Sequence, residues 1–387
     1  MEFVSKTMKS LFVLLLALLS YPGGVFAQHY IQTNLVSDMP GVAPTVDPNL
    51  VNPWGLSRSS TSPWWVSDNN SGDSTLYTGT GSIIPINGNG IVTILPSKDA
   101  PAGTLGSPTG TVYNGSTDFV IPAPNGKPAV FLFATEDGTI SGWNGGPSAV
   151  RVVDHNDNGS PNGAVFKGLT SAVWNGNRYL YVTNFRVGRV EVYDTNFNRV
   201  ELGDEAFDPG GDGDNDSDDG HGAEHVPQGF APFNIQNIGG SLFVTYAKQD
   251  AVRHDDVAGP GNGYVEIFTP SGKHIGHLQH GAWLNSPWGV VWTPRDFGVF
   301  SNTILVGNFG SGWIAAFNGF TRKFIGFVEN PDSSILTIDG LWALTFGNGA
   351  TAGPSTTLYF TAGPDQESHG LFGTLTPVKA EQDGSVE

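Results

Sequence analysis

Between Val51 and Tyr77 short apolar runs alternate with polar, turn-forming clusters. The stretch reads Asn52-Pro53-Trp54-Gly55-Leu56, then Pro63-Trp64-Trp65-Val66-Ser67-Asp68-Asn69-Asn70, then Ser74-Thr75-Leu76-Tyr77. Runs this short, bounded by Ser, Asn, Asp and Gly, predict antiparallel strands joined by tight turns. The phrase returns as Asn285-Ser286-Pro287-Trp288-Gly289-Val290, followed by the apolar run Thr303 to Val306 ending near Asn308, and then by Trp313 to Phe317. A small-Pro-Trp-Gly entry, a strand ending near Asn or Asp, and a further strand therefore form a repeat unit.

Other units follow the same grammar less completely. The second has Asp118 to Ile121 as its expected inner strand, then Ala129 to Thr135, a Glu136-Asp137-Gly138 turn, and Thr139 to Trp143. The third has Leu169 to Trp174, an Asn175-Gly176 hairpin turn, Tyr179 to Phe185 and Arg189 to Asp194; Asn-Gly between apolar runs is a strong hairpin signal. The fourth runs Phe230 to Ile238, Ser241 to Ala247 and Gly263 to Phe268, and the sixth Asp339 to Leu344, Thr357 to Gly363 and Gly370 to Leu375. Six units of three or four strands, spaced by roughly 45–60 residues, predict an all-β chain folded as a six-bladed β-propeller, with seven blades the rival count. Radial stacking lets neighbouring sheets cover faces that no sheet buries alone. A β-sandwich would explain the strands but not the recurrence of Pro-Trp-Gly. The lone strand Tyr30 to Val36 has no hairpin partner nearby and is expected to close the last blade, joining the chain ends.

Composition supports this picture. Among 387 residues there are 53 Gly and 26 Pro, and only 14% are charged, which suits a turn-rich β protein better than a helical bundle. Lys6 and Lys9 precede the apolar run Leu11 to Leu19, and Gly24-Val25-Phe26-Ala27 offers small residues for cleavage, so residues 1–27 read as a secretory signal peptide. The propeller would then occupy residues 28–375, interrupted by an acidic insert at 201–227 and followed by a polar tail at 376–387. With no cysteine, the exported fold must stand without disulfides, which a large core permits. The formal net charge of −18 argues against nucleic acid or an anionic membrane as partner, since phosphate binding rests on Lys and Arg. A protein or polysaccharide ligand fits. The mature chain is expected to be monomeric, secreted or at the cell surface, and without a membrane span.

In a propeller, polar residues just before the inner strands converge on the axis. Asn52, Asn285 or Ser286, and Asp339 are the first candidates, with Asn114, Asp118, Gln228 and Asn234 as looser ones. Oxygen ligands of this kind suit Ca²⁺. A second calcium candidate is the acidic insert, through Asp212, Asp214, Asp216 and Asp218. It alternates carboxylates with Gly and Asn but departs from the EF-hand pattern, with Ser217 where Gly and Ala223 where Glu would stand. The run Asp154-His155-Asn156-Asp157-Asn158-Gly159 matches only the first half of such a loop. His221 and His225 lie among glycines rather than on a helix. His274, His277 and His280 recur every three residues, a spacing that in a regular strand points neighbours to opposite sides, so no zinc site is expected from them. There is no Gly-x-Ser-x-Gly elbow and no thiol for nucleophilic catalysis. Trp64, Trp65 and Trp283 could stack on sugars or pack between blades.

Several long phrases occur in order: Leu35-Val36-Ser37-Asp38, Asn49 to Gly55, Thr135 to Trp143, Tyr181-Val182-Thr183-Asn184-Phe185-Arg186, Ala231-Pro232-Phe233-Asn234-Ile235 and Leu358 to Pro364. Together they resemble a family of uncharacterised bacterial exported proteins read as propellers, many of which end in a PEP-CTERM sorting tail. This chain has no apolar span with a basic stop after Thr376, so the resemblance implies plain secretion here. More distantly, Asp339-Gly340-Leu341-Trp342 and Asn285-Ser286-Pro287-Trp288 are similar to channel-mouth phrases of NHL/gluconolactonase-type propellers, in which a metal polarises a lactone carbonyl and activates water. Asn52 stands where that group has a Glu. Two functions follow as expectations: a binding or scaffold propeller with structural calcium, and a metal-dependent, lactonase- or esterase-like hydrolase using the channel mouth. An enzyme of the second kind needs several oxygen ligands around one axial ion. A scaffold can plug its channel with apolar residues.

Overall fold

Asn175 and Gly176 adopt φ of 49° and 78°, left-handed at both positions, as a two-residue hairpin turn requires. They join two long strands, β11 (Phe166–Trp174) and β12 (Asn177–Asn184), which pair antiparallel. The computed structural model describes residues 29–123, 125–155, 163–210 and 226–379. The segment expected to be a signal peptide, residues 156–159 of the Asp154–Gly159 run, residues 211–225 of the acidic insert and the last residues of the tail lie outside these.

Six sheets form the molecule, one per repeat unit. After β1 (Tyr30–Ser37) and β2 (Thr45–Val46), the first blade holds β3 (Pro53–Ser57), β4 (Trp64–Asp68), β5 (Asp73–Tyr77) and β6 (Ile91–Thr93). The second holds β7 (Pro108–Tyr113), β8 (Phe131–Thr135), β9 (Thr139–Trp143) and β10 (Val150–Asp154), and the third β11, β12, β13 (Arg189–Tyr193) and β14 (Arg199–Val200). Next come β15 (Phe230–Ile238), β16 (Ser241–Lys248), β17 (Gly263–Phe268) and β18 (His274–His277), then β19 (Pro287–Trp292), β20 (Thr303–Asn308), β21 (Ile314–Asn318) and β22 (Phe324–Phe327). The last blade is β23 (Leu341–Phe346), β24 (Leu358–Ala362) and β25 (Leu371–Pro377), completed by β1 and β2 in the order β23-β24-β25-β1-β2. The chain is thus a six-bladed propeller whose N-terminal strand closes the final blade. β1 pairs antiparallel with β25, from Tyr30 opposite Pro377 to Ser37 opposite Leu371.

The core lies between blades. Adjacent residues of a strand face opposite sides of a sheet, so the Trp64-Trp65 pair serves two neighbours at once. Trp65 stacks on Phe131 of the second blade at 4.4 Å, and Trp64 meets Tyr359 of the last blade at 4.9 Å. Both indoles are buried, which assigns them to packing rather than to sugars. Trp283 stacks on Phe324 at 4.4 Å and donates its N–H to the Gln279 carbonyl.

One expected strand is misplaced. The second blade's inner strand is Pro108–Tyr113, not Asp118 to Ile121. Phe119 takes φ of 57°, which breaks a regular strand, and its ring is buried under the blade with Ile121. The true strand is rich in Thr and Gly, so it carries little apolar signal.

Candidate functional site

Each inner strand carries the same irregularity. The pairing steps from Pro53↔Asp68 to Leu56↔Val66 in β3, three residues against two, and it does so again from Pro108, Phe166, Pro287 and Leu341. In β15 the same step runs from Pro232↔Tyr246 to Ile235↔Val244. This is a β-bulge, which bends a strand and re-aims a side chain. The first bulged residue in each blade is Trp54, Thr109, Lys167, Phe233, Trp288 or Trp342. Four of these are aromatic and form one buried cluster. Trp54 stacks on Trp342 at 3.6 Å, Trp288 meets both edge-on at 6.1 and 6.0 Å, and Phe233 approaches Trp342 at 6.0 Å. The channel is plugged. Beyond the plug a narrow cavity of about 30 Å³, room for about one water, runs between the six inner strands.

The second bulged residue is Gly in four blades because neighbouring inner strands nearly touch there. A Cβ at Gly55 would lie 2.3 Å from the Thr109 carbonyl, at Gly110 2.4 Å from the Leu169 nitrogen, and at Gly168 2.3 Å from Asn234 Oδ1. The Trp-Gly repeat is thus a packing device, with Trp filling the axis and Gly letting blades close around it.

Lys167 occupies one of these axial positions and is 1% exposed. Its ammonium lies 5.0 Å from the Trp54 ring and 5.7 Å from Phe185, an environment that favours a cation through the ring quadrupole. It donates to Glu136, from the β8–β9 turn, and lies 3.4 Å from Asp255, from the β16–β17 loop. Burial pulls its pKa down, but Glu136 and Asp255 outweigh burial and raise it overall. Around it a polar network spans the plug. Asn69 donates to Glu136 at 2.9 Å, and Asn52 Nδ2 donates to Glu367, from the β24–β25 loop, at 2.7 Å. His254 pairs with Asp255 at 2.9 Å, which raises the imidazole and pulls the Asp255 carboxyl down to about 2. Burial pushes the Glu367 carboxyl up to about 7, against the opposing Asn52 hydrogen bond. Five blades therefore contribute to one polar mouth over an apolar plug.

The residues expected at this mouth fall into two registers. Asn52, Ser286 and Gly340 are equivalent: each is left-handed, with φ of 48°, 49° or 65°, and each accepts a backbone hydrogen bond from the residue after the second strand, Asn69, Phe309 or Gly363. Asn285 and Asp339 stand one position earlier. Asn52 is buried, and its Oδ1 accepts the Trp342 indole N–H at 2.9 Å, so it ties plug to mouth. Asn285 accepts from the Gly259 N–H at 2.7 Å, and the exposed Asp339 accepts from the Asp365 N–H at 2.9 Å. Of the expected trio, only Asn52 is in the hydrogen-bonded network around Lys167. Asn234 donates to the Trp288 carbonyl at 2.8 Å within the plug, Gln228 is exposed before β15, and Asn114 follows β7 and staples the Asp118 and Ala129 carbonyls. Asp118 pairs with Arg178 at 3.5 Å. Asp212, Asp214, Asp216 and Asp218 lie outside the described residues, as do His221 and His225.

Among the described residues two mixed clusters bring three possible metal-ligating atoms within 4.8 Å of one another: Glu136, His254 and Asp255 at the mouth, and Glu266, His274 and His277 in the fourth blade. The second overturns the expectation that residues three apart in this strand diverge. β18 is bulged at Ile275, so His277 lies opposite Glu266 and His274 opposite Phe268, on one face. Gly276, with φ of 138°, makes the step possible. His280 lies apart, stacked on Tyr264 at 4.2 Å.

A bladed ring with a polar mouth over a plugged axis defines the class, a β-propeller. No family model matches the chain. It is 30% identical over 352 residues to an uncharacterized protein of Acanthamoeba polyphaga mimivirus, covering 88% of this chain and 78% of that one. A second uncharacterized protein of that virus is 30% identical over 350 residues, covering 88% and 84%. The chain belongs to the family of these viral proteins. Among solved structures it is similar to a streptogramin B lyase (12% identity, 90% of this chain and 98% of that one, TM-score 0.45). It is also similar to the GH93 α-L-arabinofuranosidase of Fusarium graminearum (11% identity, 90% and 98%, TM-score 0.45). At this likeness no residue role passes between them.

Proposed function

We propose that this chain is an exported binding protein whose recognition site is the axial mouth, and that its ligand is a hydroxyl-rich saccharide. The carrying observation is the plug. Trp54, Phe233, Trp288 and Trp342 seal the axis, so the accessible carboxylates of Glu136, Asp255 and Glu367 gather over a closed floor, held from beneath by the buried Asn52, Asn69 and Lys167. Carboxylates accept hydrogen bonds from sugar hydroxyls, and a protonated one also donates. A divalent ion at Glu136, His254 and Asp255 would have to displace the Lys167 ammonium from both carboxylates and strand a buried charge. That argues against the lactonase-like metal chemistry at this point, and calcium is better assigned to the acidic insert, through Asp212, Asp214, Asp216 and Asp218.

The test is a glycan array followed by calorimetry on the mature chain, with Glu367→Gln as the variant. We expect a saccharide hit that weakens at least tenfold in Glu367→Gln while the melting temperature holds. Hits unaffected by Glu367→Gln, or none, overturn the assignment of the mouth. Calcium should shift melting in the wild type and not after Asp212, Asp214, Asp216 and Asp218 are changed to Asn.

One observation favours a second reading. Glu367 is a carboxyl that burial leaves part-protonated near pH 7, and the Glu136 charge raises it further. Two carboxyls in different settings are what acid–base hydrolysis of a glycoside uses. If a bound saccharide is cleaved, and Glu367→Gln abolishes cleavage while keeping binding, this reading replaces simple recognition.

A further inference from the structure

The geometry assigns a transition-metal site to Glu266, His274 and His277 on the two outer strands of the fourth blade, with Zn²⁺ the ion its donors suit. Two imidazoles and one carboxylate form a three-ligand set that holds zinc and leaves a position for water. All three ligating atoms already lie within 4.8 Å of one another, and His274 Nε2 is 2.7 Å from Glu266 Oε2. Ligands on a tetrahedral zinc stand about 3.3 Å apart, so loading needs side-chain shifts of about an ångström and no backbone change. The metal would take the place of the hydrogen between His274 and Glu266.

The backbone that makes this possible is held from outside the site. A regular β18 would split the two histidines across the sheet. The bulge at Ile275 prevents that, and Arg322 of the next blade fixes it: its guanidinium donates to the Ile275 carbonyl at 3.1 Å and lies where a Gly276 side chain would be. The Arg322 carbonyl also accepts from Gln279 N–H at 3.0 Å. Each imidazole has its own restraint or pairing: Phe268 lies edge-on to His274 at 5.3 Å, and His277 is in direct cross-strand register with Glu266. Glu266 is 1% exposed, and His274 and His277 are half-buried, so the site is supported from beneath and reachable from solvent. A metal here would bolt the blade's outermost strand, β18, to β17.

The experiment uses the full mature chain freed of metal by chelator and then titrated with Co²⁺, read by visible absorption, and with Zn²⁺, read by calorimetry. We expect one site with tetrahedral Co²⁺ absorption, weakened by about 100-fold in His274→Ala and in His277→Gln. We also expect a Zn²⁺-dependent rise in melting temperature that the same variants lose. X-ray absorption on the Zn²⁺-loaded wild type should count two imidazoles, a readout independent of how the variants fold. Equal affinity in wild type and His274→Ala/His277→Gln, a ligand count without two imidazoles, or no binding at millimolar metal would each overturn the site.

Discussion

At the scale of single residues, the axis turns on one buried charge. Where three blades place Trp, a fourth Phe and the second blade Thr109, the third blade places Lys167, and its ammonium is held by Glu136 and Asp255 over aromatic faces. Replacing it with Met keeps the bulk and strands two carboxylates. Glu136 is nearly buried while Asp255 is open to solvent, so the loss is set mainly by Glu136. We expect Lys167→Met to cost about 2–3 kcal/mol in urea unfolding at pH 8, less than full removal of one partner of a buried pair. Glu136→Gln on that background should add little, and a double-mutant cycle reads the coupling. Asp68 behaves oppositely. It is fully buried, and burial raises its carboxyl well above the ordinary range, with the Thr75 N–H opposing. A raised folded-state pKa means the stabilising, protonated form is fully present below the unfolded value of about 4 and is lost as pH rises towards the folded value. Asp68→Asn should therefore stabilise by about 1 kcal/mol at pH 8 and change little at pH 4, as thermal melts at the two pH values would show.

At the scale of the element, the recurring piece is the bulged inner strand. Gly168→Ala would place a methyl 2.3 Å from Asn234 Oδ1 and 2.7 Å from its Cα. Backbone on the neighbouring blade cannot retreat without opening the ring, so we expect a loss of about 2–3 kcal/mol, measured by chemical denaturation. The same element shows what the chain's pattern could and could not reveal. Hairpins such as Asn175-Gly176 were legible because turn chemistry is local. The inner strand of the second blade was not, because Pro108-Thr109-Gly110-Thr111 keeps the bulge and drops the aromatic. Register at the mouth was legible in principle: counting back from Trp54, Trp288 and Trp342 aligns Asn52 with Ser286 and Gly340. Counting from polar residues instead put Asn285 and Asp339 one step out. Glu136, Asp255 and Glu367 carried no common phrase, since they sit on loops of different blades and meet only when the ring closes. For His274 and His277 the signal was Gly276, an interior strand glycine that marks a bulge and so changes the side-chain phase.

At the scale of the whole molecule, the ring is held shut by its ends. The pattern made the propeller and its closing strand legible because six units of like grammar cannot bury their faces separately, and the isolated strand near Tyr30 had nowhere else to pair. The closure is now concrete. β1 lies along β25, and the buried Tyr30 ring packs on Phe297 and Phe300 at 4.9 and 5.9 Å, while its hydroxyl donates to the Phe297 carbonyl at 2.8 Å. Tyr30 therefore fastens the closing blade to the preceding one. Tyr30→Ala removes a large buried ring and one hydrogen bond, a loss of about 3–5 kcal/mol. Because the remaining β1 ladder still holds, unfolding should stay a single transition with a lower midpoint. Deleting residues 28–37 removes the ladder itself. β25 then becomes an open edge with unpaired backbone groups, and the last blade loses the strand that joins the chain ends. We expect that deletion to broaden the transition and to leave soluble protein that exchanges the β23, β24 and β25 amides far faster than those of the middle blades, read by hydrogen exchange. Uniform protection across all blades after the deletion would mean that the six sheets hold their ring without the clasp, and that packing between blades, led by Trp64, Trp65 and the axial indoles, is by itself sufficient.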